Sequence, residues 1–327
     1  MAMQREIGGY FGLQPGRHDN NPHLAARALN SARNCLRYLL LARRPSRLHL
    51  PAYLCDSMLE PPRQAGVEID FYNVDADLEI AGEPDLGRDE WLLYVNYFGV
   101  KTGYCRRLAS RYGAALVVDN SQALYVPPVI GAAATLYSPR KFCGVADGGY
   151  LYADASLDAA LERDVSYDSM RHLAGRIDVD ASAFYAEFCA SERRLSGRPL
   201  RRMSALTEAL LNGIDHEHAR QTRRRNFGFL HAALGAANRL RIGADGIDGP
   251  LAYPFLSPDA TLRQRLIAHK VYVARYWDEV LQRRQASAWE KELVEYLVPL
   301  PIDQRYGEAE MRFIVDLVGG RGAPLAD

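Results

Sequence analysis

Short apolar runs and stretches of helical spacing alternate along the first half of the chain. Strands are expected at Arg47–Leu50, Glu68–Tyr72, Trp91–Tyr97, Ala115–Asp119, Ala132–Tyr137 and Tyr150–Tyr152. Between them, helices are expected from residue 30 to 41, with Cys35, Leu36, Leu39 and Leu40 on one face, then at 55–65 and Gly103–Tyr112. The run Ala115-Leu116-Val117-Val118 has no polar interruption before Asp119, the pattern of a strand covered on both faces. Strands separated by helices predict an α/β fold with a mostly parallel sheet and helices on both sides.

Beyond Asp154 the spacing becomes helical, predicting helices at Leu157–Arg163, Ala181–Leu195, Ser204–Leu211 and Glu217–Leu234. Short strands near Leu251–Phe255 and Val271–Arg275, with helices at Thr261–His269, Trp289–Leu297 and Glu308–Val318, outline a small α+β unit. Residues 1–30, rich in Gly, Pro, Asn and His, read as an arm, and Gly8-Gly9-Tyr10-Phe11 either anchors it or sets an aromatic ring at a site mouth. The break Ser196-Gly197-Arg198-Pro199 sets the expected division into a large domain, 31–200, and a small C-terminal domain, 201–327.

Composition narrows the class without naming the chemistry. The 327 residues carry 40 acidic and 40 basic side chains, which gives no reason to expect a nucleic-acid partner. No apolar run is long enough to span a membrane, and the start of the chain lacks a signal core. Five cysteines, an odd number without metal-like or redox spacing, read as reduced thiols of a cytoplasmic protein. Asp215-His216-Glu217-His218 invites a metal reading, but histidines two apart on a helix do not share a face, and Asp215 serves more simply as an N-cap.

Lysine is the informative residue. The chain has four, Lys101, Lys141, Lys270 and Lys291, and its other basic residues are arginine. A Schiff base is one task that arginine cannot perform, because guanidinium stays charged and is a poor nucleophile. Asp119 closes one expected strand and Lys141 follows the next, at the sheet edge where open α/β folds place ligands. On spacing alone the pair is either a surface lysine with a strand-end acid or a site for pyridoxal 5'-phosphate. In the latter, Lys141 holds the cofactor and Asp119 keeps its ring nitrogen protonated.

Asp119-Asn120-Ser121-Gln122-Ala123, then Ser138-x-x-Lys141 and Gly148-Gly149, resembles the DegT/DnrJ/EryC1/StrS sugar aminotransferases. The resemblance implies the fold of fold-type-I pyridoxal-phosphate transferases. It implies Lys141 as the Schiff-base lysine, Asp119 at the ring nitrogen, Ser121 against the ring face and Gln122 near the ring hydroxyl. Ser138, closer to the lysine than the family's phosphate serine, competes with Thr135 for the phosphate. Ser31 and Ala32, at the start of the first helix, match the family's phosphate-contacting pair without its glycine, and a free helix N-terminus suits an anion. Tyr53, in Pro51-Ala52-Tyr53, is the candidate ring cover or a core tyrosine, and Asn96-Tyr97-Phe98-Gly99 stands behind the site.

By the same resemblance, the expected activity is transamination of a keto sugar, nucleotide-linked, with glutamate as amino donor, in amino-sugar or surface-polysaccharide synthesis. The expected state is a homodimer with shared sites; Leu200-Arg201-Arg202-Met203-Ser204 lacks the Asn that reaches the partner's phosphate in the family. An aldolase or lyase reaction on the same scaffold, or a non-catalytic sugar-binding role, are the alternatives. Arg220, Arg223, Arg224 and Arg225 form either a solvated basic face or a grip on a diphosphate. Arg275 and Arg305 are candidates for a substrate carboxylate.

Overall fold

The computed structural model describes residues 10–82, 84–243 and 246–320; Gly8 and Gly9 of the expected arm lie outside them. Seven strands form the main sheet: β1 (Arg27–Leu29), β2 (Arg47–Pro51), β3 (Glu68–Tyr72), β4 (Glu90–Val95), β5 (Leu116–Asp119), β6 (Ala134–Tyr137) and β7 (Gly149–Ala153). Their order is β1-β7-β6-β5-β4-β2-β3. Neighbouring strands from β3 to β6 pair in parallel, whereas β7 runs antiparallel to both β6 and β1. All four residues of β5 are buried, as its uninterrupted apolar run requires.

Helix α1 (Ala32–Arg43) is N-capped by Ser31, whose side chain accepts the amide of Asn34. Helix α2 (Glu60–Ala65) connects β2 to β3 and α3 (Thr102–Tyr112) connects β4 to β5. After β7 come α4 (Arg171–Asp178), α5 (Tyr185–Arg193), α6 (Ala205–Asn212) and the long α7 (His216–Leu234). Strands β8 (Tyr253–Leu256) and β9 (Leu297–Leu300) pair antiparallel, and α8 (Leu262–Ala268), α9 (Ala288–Tyr296) and α10 (Glu308–Val318) complete the chain. The face of α7 carrying Phe227, Leu230 and Leu234 packs with β8, β9, α8 and α10 into a second apolar core. The expected mixed α/β architecture and smaller C-terminal α+β unit are therefore present.

Four local expectations need correction. Residues 157–163 are not helical: Arg202 N bonds to Glu162 O and Asp164 N to Arg202 O, each at 2.9 Å, so this backbone pairs laterally instead of closing helical turns. The segment 171–195 holds two helices instead of one beginning at Ala181. Val271–Arg275 forms no strand, and Lys270 before it turns with φ 59°. Finally, Arg27–Leu29, at the end of the expected arm, pairs with β7 as an edge strand.

Candidate active site

The carboxyl ends of β4, β5 and β6 are tied together by short polar links. Asn96 N donates to Asp119 O at 3.0 Å and Asn120 N to Leu136 O at 2.8 Å. Asn96 Nδ2 also donates to Asn120 Oδ1 at 3.1 Å. The loop after β4 is fixed from the other side, where Phe98 N donates to Gln122 Oε1 at 2.5 Å. Gly99 turns there with φ +80°, and a Cβ on it would lie 2.7 Å from Gln122 O, so only glycine fits between the two loops. Sequence pattern thus places Asp119, Ser121 and Gln122 on a rigid shelf.

Asp119 is buried, and its Oδ1 accepts the Ser121 amide at 2.8 Å. Burial pushes its carboxyl above the ordinary range, while the charge of Lys141 and the bonds from Ser121 pull it back. Asp119 pairs in register with Leu136 of β6, so the acid and the turn that carries Lys141 lie at the same edge of the sheet. Lys141 closes the short helical turn Pro139–Lys141 and is exposed. Its ammonium group has no hydrogen-bond or ion-pair partner among the described residues. Lys101 makes the contrast: its Nζ lies 2.7 Å from Glu79 and is tied down as a structural cation.

Whether the shelf fits pyridoxal phosphate is tested by its unmet polar groups. The Nε2 of Gln122 is buried with no partner, an orphan donor close behind Asp119. A buried amide left unbonded is unfavourable unless something fills its bond, and a ring hydroxyl is an acceptor of the right kind. At the phosphate end, Ser31 pairs with Gly148 and Gly148 N donates to Asn30 O at 2.9 Å. A Cβ on Gly149 would come within 2.6 Å of Ala32 N, so the Gly-Gly pair lets β7 lie directly against the start of α1. Ser31, Ala32 and the lysine-bearing segment are thereby adjacent, and the residues present fit the cofactor.

Other expected residues are placed differently. Tyr53 is 0% exposed; its hydroxyl donates to Tyr276 O at 2.9 Å and its ring stacks 5.7 Å from Tyr97, so it offers no free face in this arrangement. Thr135 sits inside β6 and its hydroxyl accepts Val129 N at 3.0 Å, whereas Ser138 begins the lysine turn without capping it. The arginine group is split: Arg220 bonds Glu217 and Asp248, Arg223 is buried, and Arg225 bonds Thr222. Arg305 is paired with Asp303 at 2.7 Å and Arg275 with Asp278 at 3.0 Å.

Sequence reasoning missed Asp147. Its fully buried carboxylate accepts Ser204 N at 2.8 Å, Ser204 Oγ at 2.7 Å and the Thr207 hydroxyl, anchoring the Gly-Gly segment to the start of α6. The acid directly before Gly148-Gly149 was the available signal, but its partners lie more than fifty residues away.

No family model and no curated protein matches the chain. Among solved structures it is similar to a DegT DnrJ EryC1 StrS aminotransferase from Brucella abortus, at 15% identity and TM-score 0.63, over 90% of this chain and 85% of that one. The sugar aminotransferase CalS13 from Micromonospora echinospora matches at 15% identity and TM-score 0.60, over 92% and 88% of the two chains. A third, the putative sugar aminotransferase Spr1654 from Streptococcus pneumoniae in its PLP form, matches at 13% identity and TM-score 0.58, over 93% and 89%. At such identities the likeness establishes the fold, which is the one the sequence resemblance implies.

Proposed function

We propose that the protein is a pyridoxal-phosphate-dependent sugar aminotransferase, with Lys141 as the covalent attachment point and Asp119 beneath the ring nitrogen. The observation carrying this reading is that a buried strand-end acid and the turn bearing an unpartnered lysine follow neighbouring parallel strands at one sheet edge, beside the orphan amide of Gln122. When bound, the cofactor supplies an electron sink for a carbanion next to nitrogen. Asp119, ionised, would hold a proton on the ring nitrogen; Gln122 would donate to the ring hydroxyl and Ser121 would lie against the ring. Ser31, Ala32 and Ser138 would receive the phosphate at the start of α1. Lys141, once displaced by substrate, would take a proton from the substrate carbon and return it at the neighbouring position, acting as base and then acid.

The substrate in this reading is a keto sugar, nucleotide-linked, with glutamate as amino donor. The protein would be cytoplasmic and would act as a homodimer through the exposed apolar face of α4 and α5. The domains would divide near residue 200, as the sequence suggests. Borohydride treatment of the purified protein should fix pyridoxal phosphate on the peptide holding Lys141, and labelling at Lys101, Lys270 or Lys291 would refute the assignment. An amino donor alone should discharge the visible band and release keto acid; a keto sugar added afterwards should restore the band and emerge aminated. Cleavage or elimination products with no response to donors would favour the lyase alternative instead.

A further inference from the structure

Arg223 is a cation buried without a carboxylate. It projects from α7, is 2% exposed and forms no ion pair among the described residues. The acid nearest in influence, Asp303, is bonded to Arg305. Its guanidinium instead donates to Pro250 O at 3.2 Å, Leu251 O at 3.1 Å, Phe142 O at 3.5 Å and Gln304 Oε1 at 3.0 Å, and lies 4.6 Å from the centre of the Phe142 ring. Gln304 Nε2 donates to the same Phe142 carbonyl at 2.9 Å. Phe142 directly follows Lys141. On the other side, Leu251 N donates to Phe98 O at 2.9 Å, and Phe98 N donates to Gln122, three residues after Asp119. One buried guanidinium therefore connects the lysine turn to the loops that fix the acid.

An apolar side chain would fill this space without the cost of desolvating a charge, and only a network of bonds offsets that cost. Four acceptors shared among Nε, Nη1 and Nη2 match a planar fork and not an ammonium group. We propose that Arg223 and Gln304 are positioning residues: they grip the Phe142 carbonyl and ring and so set the direction in which Lys141 leaves its turn toward Asp119. This rests on the proposed role of Lys141.

The test uses Gln304→Glu and Arg223→Met. Gln304→Glu removes the donor to Phe142 and sets a carboxylate against Arg223, whose new ion pair offsets the lost bond in overall stability, so it separates positioning from folding. In cofactor-free protein, amide exchange across 139–145 should accelerate about tenfold in Gln304→Glu, the loss of one buried bond, while the melting temperature holds. In the same variant, pyridoxal phosphate should be captured at Lys141, read by borohydride fixation and peptide mapping, about tenfold more slowly. Its visible band should also respond to pH over a displaced range. Arg223→Met should show larger changes of the same kind where it folds. A stable Gln304→Glu with wild-type exchange and wild-type capture would overturn the proposal. If the wild type captures nothing at Lys141, the functional reading fails, and the exchange measurement still decides whether the clamp exists.

Discussion

Two regions of the molecule treat water in opposite ways. At the carboxyl ends of β4, β5 and β6, polar side chains are buried: Asn96, Asp119, Asn120, Ser121 and Gln122 are all nearly inaccessible, and their side chains bond to one another and to the backbone of the neighbouring loops. Around α4 and α5 the reverse holds, since Ile177, Val179 and Tyr185 are 86%, 63% and 64% exposed, with Val165 and Tyr167 nearby in the chain also open. A buried polar shelf is unfavourable unless its bonds are made, and here most are made within one chain, while the side-chain amide nitrogens of Asn120 and Gln122 have no partner among the described residues. An exposed apolar face gains nothing by itself and gains if a second surface covers it. The shelf buries its polar groups and the helical pair leaves apolar ones open, which is why the site is proposed at one and a dimer contact at the other.

The largest effect expected is from Lys141→Arg. It preserves charge but should abolish borohydride-fixed labelling and lower turnover by about 10³-fold or more, measured by amino-sugar formation. Retained labelling would break the distinction between this lysine and the ion-paired Lys101. Next, Asp119→Asn should lower turnover by about 10²-fold while leaving the cofactor-free protein at least as stable as wild type at pH 7. The sign follows from its raised folded-state value: as pH rises from the unfolded to the folded pKa, the native state holds the extra proton and loses stability, and the asparagine removes that loss. A lower melting temperature for this variant, read by calorimetry without cofactor, would show that the acid is structural.

The helical face is probed by Ile177→Asp combined with Tyr185→Asp. Covered apolar side chains are each worth about 1.5–3 kcal/mol, so the dimer dissociation constant should rise by about 10²-fold or more in sedimentation, with the monomer still folded. An unchanged association would move the contact elsewhere. The smallest effect concerns the arm. His23 stacks on Tyr150 at 4.8 Å, lies 4.3 Å from Tyr137, bonds Leu124 O at 2.7 Å, and faces Tyr152 and the like-signed His216. Burial pulls its imidazole down to about 4. The unfolded chain takes up the proton first, so stability present above pH 6.5 is lost as pH falls toward 4, at about 1.4 kcal/mol per unit at most. Proteolysis at Arg17 should accelerate through that window, and His23→Phe should flatten the profile.

What the sequence disclosed follows the range of the forces involved. Glu308–Val318 is a helix with the bounds its spacing predicts, because an amphipathic period over eleven residues is local information. The places of Asp119 at the end of β5 and Lys141 in the turn after β6 follow from contiguous strand and turn signals. By contrast, β1 has three residues and exists through pairing with β7, more than a hundred positions away. Strand β9 follows α9 without a turn residue and contains Pro299, so its start was absorbed into the predicted helix; a two-stranded sheet tolerates the proline because both strands are edges. Arg223 read as one member of a surface patch, since nothing in Arg223-Arg224-Arg225 tells which of three arginines α7 turns inward.

The unbonded amide of Gln122 bears on the lifetime of the protein as well as on its chemistry. A protein that binds a ligand only when folded is least stable without it, and a ligand present at a hundred times its dissociation constant adds about 2.7 kcal/mol. That shift makes transiently opened molecules about a hundredfold rarer, and those are the molecules a protease can cut. If Gln122 helps to hold the proposed cofactor, the amount of this protein that survives would therefore track the supply of that cofactor.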